Sequence, residues 1–172
     1  PQDQKPDMGF LKLRKGLDLF ANLRPAIPFD ALLNASSLKK EVIKDTNIMI
    51  VRELAGGIYF GEPRSYCKEE AYNTLRYNRH EIERISKMAF ELARARSGKV
   101  TSVDKANVLE SSQFWRDQVR MTHSQYPDIV LNDMLADNAA MQLVRDPRQF
   151  DVILTQNLFG DILSDITAMI TG

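Results

Sequence analysis

The chain has 172 residues, 44% of them hydrophobic, which suits one domain with a real core or a large part of a two-domain protein. Its 23 basic and 23 acidic residues cancel, excluding a broad attraction to nucleic acid or anionic lipid and leaving any positive site local. One cysteine, Cys67, excludes an internal disulfide framework, and without an apolar run of about 18 residues or a basic-then-apolar leader, neither a membrane span nor a signal peptide is expected.

The chain opens on the polar "PQDQKPD" without a starting Met and stops at "MITG" just after a helical pattern, so a piece of something longer is expected. A reducing, cytoplasmic setting is the default. Short β-branched runs, "NIMIV", "KVTSV", "DIVLN" and "DVILT", alternate with longer helical patterns, which predicts an α/β layered fold. "RELAGGIYFGEPRSY" (52–66) differs. Its paired glycines and Gly-Glu-Pro turn surround aromatic strand-formers, predicting an extended hairpin or arm. Asn78 and Glu81 have capping-box spacing, and Ile82, Ile85, Ala89, Leu92 and Ala93 then share one helix face until Gly98. A second helix is expected from Ser111 to about Tyr126, closed by Pro127.

The last helical stretch, "FGDILSDITAMI" (159–170), carries Asp161 and Asp165 four apart beside an apolar face. Residues so spaced lie about 5 to 6 Å apart on one helix side, so the two acids can converge on a cation. Equally, Asp161 near the helix start can serve the dipole while Asp165 is solvated. Asp137 in "LADNAAMQLV" can cap a helix or lend a metal oxygen. Oxygen donors without neighbouring His or Cys suit Mg²⁺ or Mn²⁺ rather than zinc, and His80 and His123 read as surface residues.

Arg14, Arg24 and Arg52 each stand among apolar neighbours. Arg52 directly follows "NIMIV", where burial would require an anion, supplied by the protein or by a ligand. Lys105, just after a strand in "SVDKANVL", fits a catalytic or a surface lysine, and Tyr59 in "GGIYFG" a proton donor or a core aromatic.

"LRKGLDLFANLRPA", "VRELAGGIYFGEPR", "VDKANVLESSQFWR" and "DNAAMQLVRDPRQFDVILTQNLFGDILSD" stand in this order over nearly the whole chain. In sequence and interval they resemble the 3-isopropylmalate dehydrogenases of leucine biosynthesis. The resemblance implies a central portion, roughly half of a subunit: residues 1–24 from the cofactor-side domain and 25–172 from the second, dimerising domain. The dimer arm would cover about 52–72, and the helix near 160–172 would lead back to the first domain. The family's N-terminal strand-and-glycine segment and its later loop for the adenosine of NAD would lie elsewhere.

The same resemblance implies NAD-dependent oxidation and decarboxylation of (2R,3S)-3-isopropylmalate to 2-oxoisocaproate, in a homodimer with shared active sites. Arg14, Arg24 and Arg52 would clamp the malate carboxylates. Asp161, Asp165 and Asp137 would hold Mg²⁺ or Mn²⁺, with Asp137 also near substrate. Lys105 would take the hydroxyl proton and Tyr59 would protonate the enol carbon, Lys105 and Asp137 entering from the neighbouring subunit. Phe10, Leu11 and Val108 would face the isopropyl group, and Asp7 and Asn107 the nicotinamide end of NAD. Two departures stand out: Asp7 occupies a position usually glutamate, and Ala55 one often threonine. The alternatives are a relative acting on isocitrate, homoisocitrate or tartrate, or a dimerising, metal-binding piece inactive by itself.

Overall fold

The structure is a computed structural model that describes the backbone of residues 6–171 and the side chains of 9–14 and 16–171. Helix α1 (Pro6–Gly16) precedes strand β1 (Ala21–Ala26), the short helix α2 (Lys40–Ile43) and β2 (Ile48–Glu53). A small hairpin, β3 (Ser65–Tyr66) and β4 (Ala71–Tyr72), leads to α3 (Arg79–Arg94). Then β5 (Lys99–Asp104), α4 (Glu110–His123), β6 (Val130–Leu135), α5 (Ala136–Arg145), β7 (Val152–Thr155) and α6 (Asn157–Thr171) alternate.

Five strands form one sheet in the order β1-β2-β7-β5-β6. β2, β7, β5 and β6 run parallel, while β1 lies antiparallel along the edge of β2. The inner parallel strands β2, β7 and β5 are buried on both faces because helices cover both. Val51, Val100, Val152 and Leu154 pack with Ile82, Ile85, Phe90, Trp115 and Val119 of α3 and α4. Ile48, Ile50, Val103 and Ile153 turn the other way, toward Ile43, Leu143, Leu163 and Ile170. This period-two alternation fixes which strand residues face α6. In a parallel layered sheet the carboxyl ends of the strands share one rim. Arg52, Lys105, Asp137 and the start of α6 all sit at or just beyond those ends.

The α3 capping box forms as its spacing predicts. Asn78 Oδ1 accepts from Glu81 N–H, Glu81 Oε2 accepts from Asn78 N–H, and Gly98 at φ 75° lies just beyond the helix. Four expectations shift. The hairpin pairs Ser65 with Tyr72 and Tyr66 with Ala71, so its turn is Cys67–Glu70 rather than the glycine-rich stretch upstream. The second long helix ends at His123, leaving Tyr126, itself buried, in the loop beyond it. α6 begins at Asn157, two residues ahead of Phe159. His123 is half-buried, with Nε2 2.7 Å from Ile129 O and its ring against Phe90, because the turn after α4 folds back over it. Among the described residues no helix is long and apolar enough to cross a membrane.

Candidate active site

On α1, Phe10 and Arg14 are four residues apart and Leu11 and Arg14 three, so all three share one side. In the β1–β2 ladder Asn22 stands opposite Arg52. Arg24, two residues from Asn22, is therefore a diagonal neighbour of Arg52 on the same sheet face. Arg52 shares the phase of Ile48 and Ile50, which turns it toward α6. These placements bring Phe10, Leu11, Arg14, Arg24, Arg52, Tyr59 and Asp161 around one cavity of about 480 Å³.

Arg52 is only 1% exposed, yet it is thoroughly bonded. Its Nη1 lies 2.6 Å from Asp161 Oδ1, and its Nε and Nη2 donate to Asn157 Oδ1 at 3.1 and 2.9 Å. Burial depresses the Arg52 pKa and the Asp161 carboxylate opposes that pull. Gly160 makes room for the side chain, since a Cβ there would sit 2.6 Å from Arg52 Cγ and 2.9 Å from its Cβ. Arg24 is exposed, its Nε bonded to Asn22 Oδ1. Among the described residues neither Arg14 nor Arg24 is in an ion pair. The cavity thus presents cationic donors beyond those its own acid neutralises.

Tyr59 Oη donates to Asp161 Oδ2 at 2.7 Å. Burial, then this hydrogen bond and the negative charge of Asp161, push the phenol pKa up to about 12. Asp161 therefore receives Arg52 on one oxygen and Tyr59 on the other, rather than serving its own helix terminus. Asp165, one turn along α6, is exposed.

A second group forms on another side of α6. Lys105 Nζ lies 2.6 Å from Asp137 Oδ1, and hydrogen bonding to the lysine lowers the Asp137 pKa. Asp137 caps nothing: the N-cap of α5 is Leu135, without a side-chain bond. Lys105, Val108 and Asp137 border an apolar hollow of about 390 Å³ with Leu109, Ala136, Ala140, Phe159, Ile162 and Leu163. Adjacent helix residues such as Asp161 and Ile162 point about 100° apart, so one helix serves both cavities. Asn107 is exposed in the turn after β5. The expectation for Asp7 falls on a side chain outside the described residues. Among the described residues no group of three acids, histidines or cysteines is placed to hold a metal within one chain.

Three residues escaped the sequence reading. Asn157 and Gly160, which seat Arg52, carry no spacing signal that links them to a residue about a hundred positions earlier. Glu53, fully buried, accepts from the Ala55 and Gly56 amides at 2.7 and 2.9 Å and holds the turn after β2. Its place beside Gly-Gly was the only available hint.

The 3-isopropylmalate dehydrogenases of Chlorobium chlorochromatii and Chlorobaculum tepidum are 59% and 60% identical to this chain over its full length. The chain spans about half the length of these curated relatives, 49% of each. The crystal structure of isocitrate dehydrogenase from Methylococcus capsulatus superposes with a TM-score of 0.83 at 40% identity, covering 94% of this chain and 48% of that one. The isocitrate/isopropylmalate dehydrogenase family model matches residues 1–172, and the chain belongs to that family.

Proposed function

We propose that the subunit carrying this chain oxidises and decarboxylates (2R,3S)-3-isopropylmalate to 2-oxoisocaproate with NAD⁺ and Mg²⁺ or Mn²⁺, as a cytoplasmic homodimer of leucine biosynthesis. The observation that carries this reading is the convergence of Arg14, Arg24 and Arg52 on one cavity with Tyr59 and Asp161. Planar guanidinium forks suit a dicarboxylate, and one wall, Phe10 and Leu11, suits an isopropyl group. Residues 1–24 belong in this reading to the cofactor-side domain, where Asp7 would meet NAD; Asn107 would meet the nicotinamide.

Two features favour a second chain. Lys105 and Asp137 border a different cavity from the arginines, and Val108, Met141, Ile162 and Met169 leave that face apolar and exposed. A two-fold partner would bring its Lys105, Asp137 and Val108 against the arginine cavity of this chain, with the 52–72 arm helping to join the pair. The donor set fits a hard divalent cation: Asp161 and Asp165 offer oxygens one helical turn apart, and the partner's Asp137 would complete the set. When bound, the cation supplies Lewis acidity at the C2 oxygen and NAD⁺ supplies the hydride acceptor.

The chain's own groups do the rest. The arginines fix both carboxylates and so orient the C2 hydrogen. Lys105 takes the hydroxyl proton, directly or through water, and Tyr59 gives its proton to the carbon that loses CO₂. Burial raises the pKa of the phenol, so it keeps that proton throughout the physiological range. The test is an assay of the subunit carrying this chain. NADH formation with 3-isopropylmalate and Mg²⁺ should exceed that with isocitrate by at least about tenfold; equal turnover overturns the substrate assignment.

A further inference from the structure

The geometry points to Asn157 as the positioning residue for Arg52: its carboxamide takes the Nε–Nη2 edge of the guanidinium, so that Arg52 meets a substrate carboxylate only from its terminal nitrogens, beside Asp161. The inference rests on the proposed function only for what that carboxylate belongs to. Asn157 is fully buried at the first position of α6. Its Oδ1 accepts from Arg52 Nε and Nη2, while its Nδ2 donates to Leu54 O at 3.3 Å and Gly56 O at 3.1 Å. Because the guanidinium only donates and the two carbonyls only accept, the carboxamide has one workable orientation. Its backbone N–H is fixed as well, donating to Tyr77 Oη at 2.9 Å.

A guanidinium carries five N–H groups. Two meet Asn157 and one, on Nη1, meets Asp161, which leaves one N–H on each terminal nitrogen. Asn157 thereby rules out the side-on use of Arg52 and holds a long side chain in one rotamer. The ordering entropy is then spent on folding rather than on binding.

The test uses the subunit carrying this chain. Asn157→Ala should raise KM for 3-isopropylmalate by roughly 10- to 100-fold while changing kcat less than about threefold. In an Arg52→Lys background, where no fork exists, the same change should move KM less than about threefold. Independently of any substrate, the Arg52 Nε–H resonance should exchange with solvent at least about tenfold faster in Asn157→Ala than in the parent. Where Asn157→Ala does not fold, Tyr77→Phe removes the hydroxyl that receives the Asn157 amide and should produce the same two effects at a few-fold size. Unchanged Nε–H exchange, or an equal KM effect in the lysine background, overturns the inference. A parent that ignores 3-isopropylmalate while the exchange result holds overturns the substrate reading and leaves the positioning role standing.

Discussion

Arg52 Nη1 and Asp161 Oδ1 meet at 2.6 Å, so within one chain the buried cation of the cavity neutralises the acid at its mouth. A divalent cation that takes Asp161 must therefore compete with Arg52. Breaking a buried pair costs about 3 to 5 kcal/mol, but the Asp161 side chain is 40% exposed, and screening reduces the expectation to about 1 to 2 kcal/mol. Asp161→Asn should lower the melting temperature accordingly and weaken Mn²⁺ binding, followed by electron paramagnetic resonance, by at least about tenfold. An unchanged melting temperature would show that the pair adds nothing to the fold.

Tyr59 and Lys105 border different cavities in one chain and carry different proposed steps. Lys105→Ala should suppress NADH formation by about 100-fold or more, since it removes the base for the oxidative step. Tyr59→Phe should leave the first hydride transfer nearly intact and slow release of the decarboxylated product, so a burst of NADH should precede a slow steady state. Equal loss of burst and steady state in both variants would merge the two roles.

The fold was legible where local chemistry decides it. β-branched runs marked β2, β5, β6 and β7, and Asn78 with Glu81 marked the start of α3, because both signals act within a few residues. Asp161 was legible only in part. Its spacing from Asp165 suggested a cation, but nothing local announced Arg52 and Tyr59, which lie 109 and 102 positions away and reach it from β2 and from the turn that follows β2. The glycine-rich stretch after β2 misled for a related reason. Gly56 and Gly57 signal a turn, but that turn closes on Glu53 and Tyr77 instead of joining two strands. Lys105 and Asp137 became a recognisable pair only once parallel β5 and β6 ended side by side.

Gly160→Ala tests the close approach of α6 to Arg52. The added methyl would stand 2.6 Å from Arg52 Cγ and 2.9 Å from Thr155 Cγ2. Thr155 is fully buried in β7 and cannot yield, so Arg52 or the helix must move. Overpacking of this kind costs about 1 to 3 kcal/mol. KM for the dicarboxylate should rise along with the loss of stability, as read by denaturant unfolding and steady-state assay. Full activity at parental stability would show that the helix can shift without disturbing Arg52.

Glu53 gives the chain a pH dependence of unusual sign. Burial raises its pKa from an ordinary value near 4.5 to about 7, against the pull of the Gly56 and Ala55 amides that favour the carboxylate. An unfolded chain releases this proton near 4.5, whereas the folded protein keeps it until about pH 7. Between those values the folded state binds more protons, so stability falls as pH rises, by at most about 3 kcal/mol across the window. The loss is complete above pH 7. Glu53→Gln should flatten this stretch of the stability curve in urea unfolding between pH 5 and about 8. A parental slope retained in Glu53→Gln would assign the dependence to another group. Gly56 O receives Asn157 Nδ2, so ionisation of Glu53 also bears on the seat of Arg52. The same titration should therefore be visible in KM before it is visible in kcat.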